Sequence, residues 1–295
     1  YAELLDLVPV IDRRIVLGTK SLPLLRRLVG LHATLVSESY DVAIDVQGLL
    51  KSAVVARLSR ARRVLGFPVS HLREAVARFC YSETHNPGQL GHVIEKNLTL
   101  AGVLGAETFP FRFPLEVPES AALDAVRAAG ETIGARPFAV LNPGGSWPNK
   151  RWPPEKFGAV GRWLSQELSL RSVVTWGAGE QALATAVVAE SDGAAELAPA
   201  TRIGDLTAIV HEAELVVSGD TGPVHLAAAL GTPVVGLYGP TDATRNGPWS
   251  QDDVFVSRFE KCACRYRRSC RIGQWCLDDI KVADVTAAIA RRFAG

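Results

Sequence analysis

No methionine occurs among the 295 residues of this chain. A natural chain needs an initiator, so a further N-terminal segment ahead of Tyr1 is expected. No run reaches the roughly 18 uncharged apolar residues of a membrane-spanning helix. An excess of one charge sign is also lacking. The formal net charge is +1, which argues against a nucleic-acid partner. No secretory signal is legible, and five cysteines without one point to a reducing compartment. Repeats and low-complexity tracts are missing too. What remains is ordinary globular composition, 47% hydrophobic and 21% charged, at a length suited to one or two domains.

Apolar, β-rich runs alternate with helical patterns. "YDVAIDVQG" (40–48) reads as a strand entering a loop, and "LLKSAVVARLSRA" (49–61) as the helix after it. "FAVLNPGG" (138–145), "SVVTWGAG" (172–179), "ELVVSGD" (214–220) and "PVVGLYG" (233–239) are short and Val-rich, as expected of parallel strands buried on both faces. Helical segments at 154–168, 180–190, 204–212 and 223–230 separate them. This alternation predicts an α/β doubly wound sheet. The Pro-rich "PFRFPLEVP" (110–118) interrupts the pattern and marks a domain boundary. A last helix, about 282–294, has no strand after it and is expected to pack back across that boundary.

The chemistry sits in loops at strand ends. In "ELVVSGDTGPVHLAAALG", Gly219 and Gly222 permit tight turns, and the helix starts near Pro223. Free N–H groups and the dipole at that start make an anion site. The alternative is an Asp-capped helix of any α/β protein. "NPGGSWPNKRWPPEKF" (142–157) also follows a strand, and Lys150 supplies a point charge for a diphosphate. "VVTWGAGEQALATA" (173–186) carries a G-x-G-x-x-A pattern at Gly177, Gly179 and Ala182. Glu196 stands near the distance of a ribose-binding acid, but it opens a strand where such an acid should close one. Glu180, in the turn itself, is either a ribose acceptor or an acid in a first helical turn.

Taken in order, "NPGGSWPNKRWP", "WGAGE" and "SGDTGPVHLAAALGTPVVGLYGPTD" resemble glycosyltransferase family nine, the ADP-heptose:lipopolysaccharide heptosyltransferases. "YDVAIDVQGLLKSA" and "RVLGFPVSHLREAVARFCY" look like its type I enzymes, and the resemblance extends over essentially the whole chain. It implies a GT-B fold, two Rossmann-like domains facing across a cleft. An incomplete acceptor-binding domain would span 1–116, a nucleotide-sugar-binding domain 117–281, and a C-terminal helix 282–295 would pack on the first domain. It also implies inverting transfer of heptose from ADP-heptose to the Kdo region of lipid A in inner-core synthesis. That activity needs no cofactor, and would be cytoplasmic, at the cytoplasmic face of the inner membrane, with peripheral membrane contact.

The family's diphosphate contacts fall on Gly145, Ser146, Lys150, Asp220, Thr221 and Gly222. The type I pattern has hydroxyl residues at the first two, so Gly145 offers backbone alone. The ribose acid falls on Glu180. His225 matches the family histidine, as a cleft contact or as helix packing. The family's base, an Asp within Gly-Asp ahead of Leu-Pro, has no counterpart in this sequence and is expected upstream of Tyr1. Asp41 and Asp45 read instead as fixing loop or acceptor geometry.

From Val46 to Arg73 there is no acid, while Lys51, Arg57, Arg60, Arg62, Arg63 and Arg73 are basic. Such a run is a solvated face or a site for an anionic acceptor. Arg73 matches the family's acceptor-side arginine, and Lys51 is the second candidate. Four cysteines, Cys262, Cys264, Cys270 and Cys276, are spaced C-x-C-x5-C-x5-C. They fit structural zinc, a partial disulfide, or reduced thiols packing a loop. Arg265, Arg267, Arg268 and Arg271 between them suit anionic headgroups. Other readings are a later acceptor such as the second heptose, a nucleotide-binding module without catalysis, and an NAD-dependent oxidoreductase.

Overall fold

The computed structural model describes residues 2–16, 24–107, 111–131, 137–270, 273 and 275–294, and of 24–28 the backbone alone. The chain divides between Phe111 and Arg112 into two compact units. The unit of residues 13–111 comprises α1 (Leu24–Ser37), β1 (Val42–Ile44), α2 (Leu50–Leu58), β2 (Arg63–Gly66), β3 (Glu83–Thr84) and α3 (Val93–Gly102). Its three strands form one parallel sheet in the order β1-β2-β3.

The second unit comprises α4 (Ala121–Glu131), β4 (Phe138–Asn142), α5 (Pro154–Leu168), β5 (Arg171–Val174), α6 (Gln181–Ala189), β6 (Ala195–Leu197), α7 (Ile203–Glu212) and β7 (Leu215–Gly219). It continues with α8 (Gly222–Leu230), β8 (Val234–Tyr238), α9 (Ala243–Asn246), β9 (Val254–Ser257) and α10 (Val282–Ala294). Its six strands are all parallel, in the order β6-β5-β4-β7-β8-β9. Strands β4, β5, β7 and β8 are buried along their whole length, which is why they read as unbroken Val-rich runs. Edge strand β9 alternates exposed and buried residues and carries no such signal.

Two expectations about organisation are corrected. Residues 2–12 belong to the second unit and not to the first. Leu4 packs on its core, and the Glu116 N–H donates to the Leu7 carbonyl at 2.8 Å. The last helix also packs within the second unit. Val285, Ala288 and Ile289, on one face of α10, enter the core formed by Leu141, Phe157 and Leu237. Polar ties hold its ends there. Arg258 pairs with Asp284 at 2.5 Å, and Arg292 Nε donates to Asp253 at 3.1 Å. Trp152 Nε1 and Lys156 Nζ both donate to the Ile280 carbonyl, each at 3.1 Å, joining the start of α5 to the chain entering α10. The apolar stripe of α10 is thus used by its own sheet. Among the described residues no helix is long and apolar enough to cross a membrane.

Candidate functional site

Strand order reverses between β4 and β7. In such sheets ligands bind in the crevice outside the carboxyl ends at that switch point. The loops leaving these two strands are 143–153 and 220–221, so both sequence-predicted phosphate loops arrive at one place. Register makes Asn142 and Ser218 neighbours at the strand ends. A buried polar network then fixes both loops. Asn142 Nδ2 donates to Ser218 Oγ at 3.0 Å and to Thr221 Oγ1 at 3.2 Å, while Asn142 Oδ1 accepts from Thr175 Oγ1 at 3.3 Å. Close approach depends on glycine. A methyl group on Gly219 would stand 2.5 Å from the Lys150 carbonyl oxygen, and one on Gly145 3.1 Å from Thr221 Cγ2.

Lys150 closes the 3-10 turn Pro148–Lys150. Its ammonium donates to Asp220 Oδ2 at 2.5 Å and to the Asp220 carbonyl at 3.2 Å, and lies 4.8 Å from the Trp147 ring centroid. Asp220 is 5% exposed. Its carboxylate also accepts from Thr241 Oγ1 at 2.6 Å and lies 3.2 Å from His225 Nε2. Burial alone would raise the Asp220 carboxyl pKa. His225, the Lys150 charge and the Thr241 hydroxyl outweigh burial and hold it well below the usual carboxylate range. The carboxylate of Asp220 is therefore an anchor for Lys150 and His225. His225, half exposed on α8, serves this anchor, which neither sequence reading of it anticipated.

Helix α8 begins one residue before Pro223. Thr221 is its N-cap, yet the Thr221 side chain caps no N–H of the first turn, because its hydroxyl is held by Asn142, Ser218 and Gly219. The helix N-terminus of Thr221 and Gly222 is left to other acceptors. Ser146 is exposed in the loop that leaves β4. Glu180 ties a third loop in. Its carboxylate accepts from Gly145 N at 2.8 Å and Gly177 N at 3.2 Å, and pairs with Arg151 at 3.5 Å. Arg151 in turn donates to the Gly145 carbonyl at 2.8 Å. The Gly145 N–H, expected to face a phosphate, is thus held by Glu180. Glu196 sits in β6, where it pairs with Arg171, away from any ribose position. A cavity of about 370 Å³ lined by Arg127, Phe138, Arg171 and Glu214 opens at the amino ends of the strands, the wrong edge for a ligand of this sheet.

Residues that sequence reasoning did not assign are Asn142, Arg151, Thr175, Ser218 and Thr241. For all but Arg151, the available signal was a polar residue at or just past the end of a strand.

The profile of glycosyltransferase family 9 (heptosyltransferase) matches residues 29–276. The chain belongs to that family. It is 30% identical to lipopolysaccharide heptosyltransferase 1 of Pseudomonas aeruginosa over 78% of this chain, and that match spans 63% of the Pseudomonas protein, less than two thirds of its length. The Escherichia coli K12 heptosyltransferase 1 is 28% identical over 86% of this chain and 78% of its own length. The solved E. coli heptosyltransferase WaaC with ADP superposes with a TM-score of 0.74 at 23% identity, covering 99% of this chain and 87% of that one. A family 9 glycosyl transferase from Veillonella parvula gives 0.77 at 19% identity, with the same coverage. The fold is accordingly GT-B, built of Rossmann-like α/β units.

The acceptor-side candidates, with Asp41 and Asp45, lie in the first unit. Asp45, 3% exposed, accepts from Gln47 N at 2.9 Å, Gly48 N at 3.3 Å, Ser52 Oγ at 3.1 Å and Tyr81 Oη at 2.6 Å. Burial and this bond push the Tyr81 phenol well up. Asp45 is a loop clamp. Asp41 pairs at the surface with Arg62. Gly48, at φ +66°, lets the loop lie against Leu72, and Glu74 accepts from Leu50 N at 2.7 Å. Lys51 and Arg73, both exposed, each flank a member of that bonded pair. Arg63 is consumed by a two-bond contact with Glu83, at 2.7 and 2.8 Å. Among the arginines of the cysteine segment, Arg265 lies over Phe259 and Arg268 over Trp147, while Arg271 lies outside the described residues.

Proposed function

We propose that this chain transfers heptose, with inversion, from ADP-heptose to the Kdo region of lipid A, as a type I enzyme of inner-core synthesis. One observation carries the donor half: Lys150 and the N-terminus of α8 meet at the switch point of the sheet, held there by Asp220. Cationic side chain plus free helix N–H groups make a diphosphate site. That the solved relatives include WaaC with ADP and with ADP-2-deoxy-2-fluoro heptose supports the choice of nucleotide sugar.

As the glycosidic bond to phosphate breaks, negative charge grows on the departing ADP. Lys150, held by Asp220, and the N–H groups of Thr221 and Gly222 are oriented in advance to meet it, with the Ser146 hydroxyl as a further donor, which lowers the barrier rather than merely binding substrate. Glu180 keeps lone pairs free for ribose hydroxyls while it fixes Gly145. Arg73 and Lys51 take the carboxylate and phosphate groups of the acceptor. Contact with the inner membrane is peripheral and cytoplasmic, through the lipid acceptor and basic residues. We assign the acceptor proton to no residue of this chain.

Thermal unfolding with ADP, UDP and NAD tests the donor half. ADP raises the midpoint and UDP and NAD do not. Stabilisation by NAD alone overturns the reading.

A further inference from the structure

The cysteine segment plays no part in the chemistry above, yet its thiols converge. Sγ of Cys262, Cys264 and Cys276 all lie within 4.8 Å of one another, with Cys262 to Cys264 at 3.4 Å and Cys262 to Cys276 at 2.8 Å. All three are buried, and Cys270 packs against them. The four together line one cavity of about 60 Å³, with Lys261 and Trp275 at its wall. Cys262, Cys264 and Cys276 are free thiols. Four sulfurs at about 2.3 Å from a tetrahedral zinc stand roughly 3.8 Å apart; the two short separations, 3.4 and 2.8 Å, are tighter than that, and all three sulfurs lie within 4.8 Å of one another. Asn149, fully buried, points its Nδ2 at Cys264 Sγ from 3.7 Å, the kind of N–H contact that supports a thiolate ligand.

We propose that Cys262, Cys264, Cys270 and Cys276 bind one zinc ion as a closed, four-thiolate structural site. Each thiol gives up its proton on binding, so the site takes one Zn²⁺ and releases up to four protons, with no change of oxidation state. Soft sulfur donors select zinc over hard cations. The site clasps the donor loops. Asn149, beside Lys150, also donates to the Arg267 carbonyl at 2.7 Å, and the Tyr266 N–H donates to the Pro240 carbonyl at 2.7 Å. A methyl group on Gly239 would stand 3.0 Å from Cys276 Sγ. The metal therefore holds the turn that carries Lys150.

The test is elemental analysis of the full chain, purified without chelator from zinc- and iron-supplemented culture. We expect about one zinc per chain, and loss of nearly all of it in Cys264→Ser and Cys270→Ser. If those variants do not fold, Co²⁺ is titrated into chelator-treated wild-type protein, where a saturable 1:1 thiolate-to-cobalt charge-transfer band supports the site. Folded protein with no metal and no cobalt band overturns it, as does iron in place of zinc or a disulfide among the four in a peptide map. The clasp, which rests on the donor-site reading, predicts several-fold weaker ADP binding after chelation, restored by Zn²⁺. An unchanged ADP affinity in metal-free protein overturns the clasp. Failure of metal-loaded protein to bind ADP at all counts against the donor site and leaves the metal content standing.

Discussion

At the scale of single residues, the site turns on Asp220. It is a buried carboxylate with three partners, Lys150, His225 and Thr241. Lys150→Ala removes the charge that faces a diphosphate. ADP affinity is expected to fall about 10- to 100-fold, the worth of a charge-assisted hydrogen bond, with the fold intact by circular dichroism. Asp220→Asn leaves Lys150 without its counter-charge, and removing one partner of a buried pair costs about 3–5 kcal/mol. The pH dependence has a definite sign. The folded carboxyl lies below its unfolded value, so its contribution to stability is full above about pH 4 and is lost as pH falls through the folded value. The stability gap between wild type and Asp220→Asn, from urea unfolding, should be widest at neutral pH and narrow in acid. A gap that widens in acid would contradict the pairing.

At the scale of elements, two glycines separate packing from function. On Gly219, at the end of β7, an added methyl meets the Lys150 backbone at 2.5 Å. On Gly158, in α5, it meets the Glu190 backbone at 2.6 Å. Both alanine variants should lose about 1–3 kcal/mol through overpacking. Only Gly219→Ala should also weaken ADP binding, because only there does the displaced element carry Lys150. Isothermal titration beside thermal unfolding distinguishes them. The same contrast shows what the sequence made legible. Strands β4, β5, β7 and β8 were readable because burial on both faces demands continuous apolar residues. Strands β2, β3 and β9 were not, being short or partly exposed, so their runs are brief or mixed. The phosphate loops were readable from Gly, Pro, Lys and Asp at strand ends. The anchor was not, since Thr241 and Lys150 meet Asp220 across 21 and 70 residues of chain. Nothing in local spacing forecasts such a meeting. Likewise, α10 was legible as a last helix with no strand after it, but the sheet that takes its apolar face, Val285, Ala288 and Ile289, was not.

At the scale of the whole molecule, the work is divided between two units. Asp45, Tyr81 and Glu74 organise one loop system in the first, and Asn142, Asp220 and Glu180 another in the second. Arg73→Ala should therefore lower acceptor use, measured as kcat/KM at saturating donor, while leaving the ADP dissociation constant unchanged. Loss of both would report misfolding instead. An overall charge of +1 supplies little long-range attraction for an anionic lipid. Salt should then affect acceptor use chiefly through the local cluster around Lys51 and Arg73.

The ammonium of Lys150 already has an occupation before any nucleotide arrives, because Asp220 neutralises it. An incoming diphosphate must share that cation rather than claim it outright, so part of the Coulomb attraction is discounted in advance. The same discount applies to the departing product. A site of this kind trades tight retention for exchange. On the proposed function, spent ADP is expected to be displaced by fresh donor, and accumulated product to act as a mild brake on turnover instead of a stop.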